Sequence, residues 1–151
     1  MNATLPLVTV PPGEWYLGQE IVLNTLLGSC VAITAWHPFI RCGGLCHYLL
    51  PRIPATSSQF KPDARYGVIG LQFLQSALIA IAPLREFQFG CFGGSVMFKG
   101  NEKIGEANVQ LAREWLKKHH IAIYQSDVGG PFGRKISMNT DTGKISIALL
   151  D

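Results

Sequence analysis

The sequence predicts an α/β (α+β) fold, a single layered domain of mixed β-sheets with two main helices, and three observations carry that prediction. Short runs rich in β-branched and aromatic residues sit between Gly, Pro and Asn/Asp punctuation, as strands do. Two longer stretches, 63–82 and 105–119, instead repeat apolar residues at helical spacing. Finally, 151 residues with 48% hydrophobic and 15% charged content suit one well-filled core over 1–151, with no staple required.

The elements follow in chain order. Residues 1–13 hold Pro6, Pro11, Pro12 and Gly13 and read as a loose or extended start. Glu14 to Gly18 forms a short edge strand, and Ile21-Val22-Leu23 a strand feeding the turn at Gly28-Ser29. Val31 to Trp36 is a buried strand closed by His37-Pro38. Gly43-Gly44 opens the next strand, Leu45 to Leu50, which Pro51 ends. These two pair antiparallel through the turn around Phe39 to Cys42. The two-residue period then puts Leu45, His47 and Leu49 on one face and Cys46, Tyr48 and Leu50 on the other.

Arg52 to Pro62 reads as a loop. Asp63 is expected to cap a helix that runs to about Ala82, with Ile69, Phe73, Ala77 and Ile81 along one line and Leu71, Leu74, Leu78 and Ile79 widening it. Glu86 to Phe92 alternates as a strand, Gly93-Gly94-Ser95 forces a sharp turn, and Val96-Met97-Phe98 is a short apolar run. Gly105 to about His119 is the second helix, lined by Val109, Ala112 and Leu116, with Lys117 and Lys118 at the end its dipole favours. Ile121 to Tyr124 is a strand, and Gln125 to Gly133 a Gly-rich loop. Arg134 to Asn139 and Lys144 to Leu149 close the chain as a hairpin.

Charge and cysteine usage narrow the function. A net charge of +3, thinly spread, is too weak an excess to argue for nucleic acid. The longest apolar stretch, Gly70 to Leu84, is broken by Gln72, Gln75, Ser76 and Pro83, so no membrane insertion is expected. Met1 to Pro12 lacks a basic region ahead of an apolar core, so no leader is expected, and Cys30, Cys42, Cys46 and Cys91 are expected as free thiols in a reducing cytoplasm.

Chemistry concentrates at Cys30 and His47. Cys30 follows the Gly28-Ser29 turn, whose successive N–H groups suit an oxyanion, and strand pairing brings His47 near it. A thiol attacks carbonyl carbon as thiolate, and a histidine is the usual base. An activated Cys30 is therefore expected to ionise below a free cysteine. The same residues also fit space-filling: a buried cysteine, and a core histidine satisfied by a backbone carbonyl. A zinc site from Cys42, Cys46 and His47, with Cys30 or Cys91, is weaker, because Cys46 and His47 point to opposite faces of a strand. Gly93-Gly94-Ser95 and Gly129-Gly130-Pro131 match no phosphate-binding motif and read as structural turns.

Taken together, Thr25-Leu26-Leu27-Gly28-Ser29-Cys30-Val31 and Gly43-Gly44-Leu45-Cys46-His47 resemble the chemoreceptor glutamine deamidases of the CheD type. The likeness continues through Arg65-Tyr66, Phe92-Gly93-Gly94-Ser95-Val96-Met97-Phe98, Ile104-Gly105-Glu106-Ala107-Asn108, Asp127-Val128-Gly129-Gly130, Gly133-Arg134-Lys135 and Thr142-Gly143, in order along nearly the whole chain.

The resemblance implies a three-layer α/β sandwich and a Cys-His deamidase that turns glutamine side chains of methyl-accepting chemotaxis receptors into glutamate. No cofactor or metal is expected. A CheC-type phosphatase is the further partner it implies. Cys30 falls on the family's nucleophile and His47 on its base. A third catalytic residue, a hydroxyl six positions before the cysteine, would fall on Asn24, with Thr25 next to it; either Asn24 or Thr25 is expected to orient His47. Receptor contacts are expected from the loops near Gly93 and Gly129. The rival reading is a non-catalytic binding partner of such a phosphatase, docked through the exposed apolar part of the first helix.

Overall fold

The computed structural model describes residues 4–53, 63–96 and 102–150. In chain order the elements are β1 (Leu7–Thr9), β2 (Glu14–Gln19), β3 (Val22–Leu27), β4 (Val31–His37), β5 (Cys42–Tyr48), α1 (Gly67–Ile79), a 3-10 turn (Leu84–Glu86), β6 (Gln88–Gly93), α2 (Glu102–Lys118), β7 (Ile123–Val128), β8 (Gly133–Asn139) and β9 (Ile145–Leu150). They build two mixed sheets, a four-stranded one ordered β1-β3-β8-β9 and a five-stranded one ordered β2-β5-β4-β6-β7.

The five-stranded sheet is the middle of three layers. On β4, Val31, Ile33 and Ala35 pack with Leu71, Leu74 and Leu78 of α1 and Val109, Ala112 and Leu116 of α2. The intervening Ala32 faces the other way, into a second core shared with Leu23 and Leu27 of β3 and Ile136 and Met138 of β8. Alternation along a single strand thus supplies both interfaces. All seven residues of β5 are buried, as a strand covered on both faces requires.

The predicted antiparallel pair is present, with Val31 across from Tyr48 and Ala32 across from His47. Several boundaries differ from expectation. β3 runs on through Asn24 and Thr25 to Leu27, because Leu23, Thr25 and Leu27 continue an inward alternation past the short apolar run. The extended start contains β1, which pairs parallel with β3. β7 takes up part of the expected Gly-rich loop, through Val128.

α1 is shorter than expected, and its buried side differs. Asp63 is not its cap: the Asp63 carboxylate accepts the Arg65 N–H at 2.9 Å, and the helix starts after Tyr66 with no side-chain cap. The buried side is Gly67, Gly70, Leu71, Leu74 and Leu78, whereas Phe73 and Ile81 are exposed. Met97-Phe98 and most of the expected Arg52–Pro62 loop lie outside the described residues. No helix among the described residues is long and apolar enough to cross a membrane.

Gly67 marks how closely α1 enters the middle layer: a Cβ there would run into the Leu111 side chain and meet the Tyr48 ring at 2.9 Å. Gly67→Ala is expected to cost about 1–3 kcal/mol through overpacking. The urea unfolding midpoint should fall with an unchanged m-value; an unaltered midpoint would show that this helix start has room to spare.

Candidate active site

The site is assembled where β4 begins and β5 ends. His47 on β5 shares a face with Ala32, directly across from it on β4. Cys30, two residues before Ala32, packs into the same inter-sheet core. Thiol and imidazole are therefore diagonal neighbours on one face. Cys42, Cys46 and Cys91 lie in the other core, beneath the helices, so the strand separates them from His47.

Thr25 reaches the imidazole from the facing sheet. Its hydroxyl oxygen lies 2.7 Å from His47 Nδ1 and 2.6 Å from the Val10 carbonyl. A carbonyl only accepts, so the Thr25 O–H donates to Val10 and its oxygen accepts the Nδ1–H. That fixes the tautomer: the proton is on Nδ1 and Nε2 is a bare acceptor. Nε2 is buried with no hydrogen-bond partner among the described residues. Asn24, the other candidate, is occupied elsewhere, its Oδ1 accepting the Thr9 hydroxyl at 2.8 Å.

The Gly28–Cys30 turn is held from outside at three successive carbonyls. Gly28 O accepts the Ser95 N–H at 2.9 Å and the Ser95 hydroxyl at 2.6 Å. Ser29 O accepts Asn108 Nδ2 at 3.0 Å, and Cys30 O accepts the Gly94 N–H at 2.8 Å. Gly93 has φ +106°, and a Cβ there would collide with the Cys30 carbonyl, so only glycine fits. Among the described residues, no turn or loop carbonyl takes the N–H of Gly28, Ser29 or Cys30.

Buried Arg134 ties down the neighbouring loops, donating to the carbonyls of Gly93, Asp127 and Gly129. Ser95, Asn108 and Arg134 lie in motifs noted in the sequence but were given no role there. Their partners are backbone carbonyls, which a sequence does not display; a helix-interior asparagine was the one available signal. A cleft of about 660 Å³ nearby runs between Gly94, Gly129, Gly130 and the α2 residues Lys103, Gln110 and Arg113. It borders the turn's supports without including Cys30 or His47.

Burial sets the resting charge state. It lowers His47 to about 4, partly offset by the Val10 carbonyl, and it raises the Cys30 thiol, partly offset by the residue's own N–H. This corrects the expectation of a thiol ionised below a free cysteine: at rest the pair is neutral thiol and neutral imidazole, because the inter-sheet space disfavours either charge alone.

The comparisons with known proteins bear on this arrangement. The family model "CheD chemotactic sensory transduction" matches residues 49–149, starting two residues after His47. A Dechloromonas aromatica protein named probable chemoreceptor glutamine deamidase CheD 3 is 38% identical over 149 residues, covering 93% of this chain and 86% of its own length. The chain belongs to the CheD family. A Pyrococcus abyssi member bearing the deamidase name is also 38% identical, over 91% of this chain and 88% of its own. One from Chromobacterium violaceum is 35% identical, over 93% and 76%. The family model takes in α2 and the strands after it, and the alignment with the Dechloromonas relative, over 93% of this chain, takes in the turn and β5 as well.

Two outcomes follow. His47 binds its proton more weakly folded than unfolded, so the unfolded state takes up more protons between pH 6.5 and about 4. Stability should therefore fall as pH drops through that window, by about 3 kcal/mol in all. Chemical denaturation of wild type against His47→Gln should show the slope shrinking in the variant; parallel slopes would contradict the buried neutral imidazole. Thiol reagents at mildly alkaline pH should label half-buried Cys30 before Cys46 and Cys91, which burial pushes up to about 12. Equal labelling of all of them, read by peptide mapping, would contradict this.

Proposed function

We propose that the chain hydrolyses selected glutamine side chains of methyl-accepting chemotaxis receptors to glutamate and ammonia, with Cys30 as nucleophile and His47 as base. The observation that carries this reading is the bare, buried Nε2 of His47 on the face of Cys30, its other nitrogen tied to Thr25. An unsatisfied buried acceptor costs stability, and a proton to be taken from the neighbouring thiol gives it a use. The names of the relatives, which specify chemoreceptor glutamine deamidases, support the substrate class.

The proposed steps run as follows. The Cys30 S–H passes its proton to Nε2 as sulfur attacks the carboxamide carbon. The resulting thiolate–imidazolium pair offsets part of the burial cost that each charge alone would meet. N–H groups of the Gly28, Ser29 and Cys30 turn receive the oxyanion. The imidazolium returns its proton to the departing nitrogen, ammonia leaves, and a thioester remains. His47 then takes a proton from water, whose oxygen attacks the thioester carbon; glutamate is released and the thiol restored. Thr25 accepts the Nδ1–H throughout, keeping the ring in one orientation.

The receptor is proposed to lie across the cleft between Gly94, Gly129 and α2. A CheC-type phosphatase is proposed as a second partner on the resemblance alone, and the cytoplasm as the place of action. Incubation with a receptor cytoplasmic fragment should give a mass gain of about one dalton on specific glutamine peptides, the change from amide to acid. Cys30→Ala should abolish the gain, and Thr25→Val should lower kcat about ten- to hundredfold with the tautomer no longer fixed. A gain that survives Cys30→Ala would overturn the assignment.

A further inference from the structure

We infer that Asn108 is a positioning residue for this chemistry: its side-chain amide aims the Cys30 N–H at the oxyanion and holds the nucleophile's turn to the end of the base's strand. The inference rests on the proposed deamidase reading and adds a residue to it.

Among the described residues no peptide bond is cis, so a carbonyl and the N–H that follows it point in opposite directions. Asn108 Nδ2 pulls the Ser29 carbonyl toward α2 at 3.0 Å. The Cys30 N–H must then turn away from α2, toward the inter-sheet side where the thiol lies. The same logic applies one peptide earlier: Ser95 holds the Gly28 carbonyl, which turns out the Ser29 N–H.

The second Nδ2 hydrogen joins the two catalytic strands. The β4–β5 ladder ends at Val31 and Tyr48. Beyond it Leu49 turns its N–H to Arg65, so no ladder bond spans Ser29 and Leu49. Asn108 Nδ2 fills that gap, donating 2.8 Å to the Leu49 carbonyl as well as to Ser29. Leu49 stands two residues past His47, and Ser29 one before Cys30.

Asn108 is held through its backbone, while its Oδ1 has no hydrogen-bond partner among the described residues. It is fully buried, and its own carbonyl accepts the Tyr48 hydroxyl. One turn earlier Gly105 presses on the carbonyls of Gly94 and Ser95, where a Cβ would lie 2.7 and 2.8 Å from them. Asparagine is a poor choice for a helix interior on propensity alone. Here its two amide hydrogens satisfy two carbonyls that no other described group takes.

The test compares wild type with Asn108→Ala on a receptor cytoplasmic fragment, alongside alkylation of Cys30 by iodoacetamide. Alkylation at a saturated carbon develops no oxyanion, so it reads the thiol without the N–H. Expected is a kcat about ten- to hundredfold lower, with KM and the alkylation rate within about threefold of wild type. An unchanged kcat, or equal losses in kcat and alkylation, would overturn the inference. If Asn108→Ala does not fold, Asn108→Ser, which keeps one donor, is read by the same split. A wild-type protein that leaves the receptor fragment unmodified would instead overturn the deamidase reading itself.

Discussion

The hydrogen-bond relay from His47 through Thr25 to the Val10 carbonyl crosses the space between the two sheets, and the site depends on it. Val10 follows β1, Thr25 lies on β3, and His47 lies on β5, so the relay has members in both sheets. A one-residue slip of β3 would turn Thr25 outward and bring Asn24 or Leu26 in its place. The β1–β3 pairing, extended by the bond from the Val10 N–H to the Asn24 carbonyl, guards against that slip. The fold thereby fixes which imidazole nitrogen carries the proton.

Around this relay the molecule accepts local costs. Nε2 of His47 is buried with no partner, and Gly93 occupies a backbone region closed to other residues. Both sit within reach of the Cys30 turn. In the proposed mechanism the neutral resting pair has a consequence: charge appears only when sulfur attacks, beside the N–H groups of the turn. Support for the turn comes from the loop after β6, through Gly94 and Ser95, and from α2, through Asn108, so two separate parts of the chain converge on three successive carbonyls.

How much of this was legible depends on what each residue uses. The two-residue period of β5 put His47 opposite Cys46, and the strand pair put it near Cys30; both were readable because strand faces follow from spacing. The choice of Thr25 over Asn24 was readable in principle, since Leu23, Thr25 and Leu27 alternate inward, but only once β3 is known to run past Leu23. The buried face of α1 was not readable, because Phe73, Ile79 and Ile81 extend the apolar pattern around the helix. Asn108 and Arg134 act on carbonyls brought together by the fold, and nothing in their local sequence names those partners.

The most direct measurement is the protonation state of the two His47 ring nitrogens by ¹⁵N NMR. Expected near neutral pH is a proton on Nδ1 and a bare Nε2, unchanged as the pH falls until the ring titrates near 4. A proton on Nε2, or titration at the 6.5 of an ordinary histidine, would contradict a base held ready by Thr25.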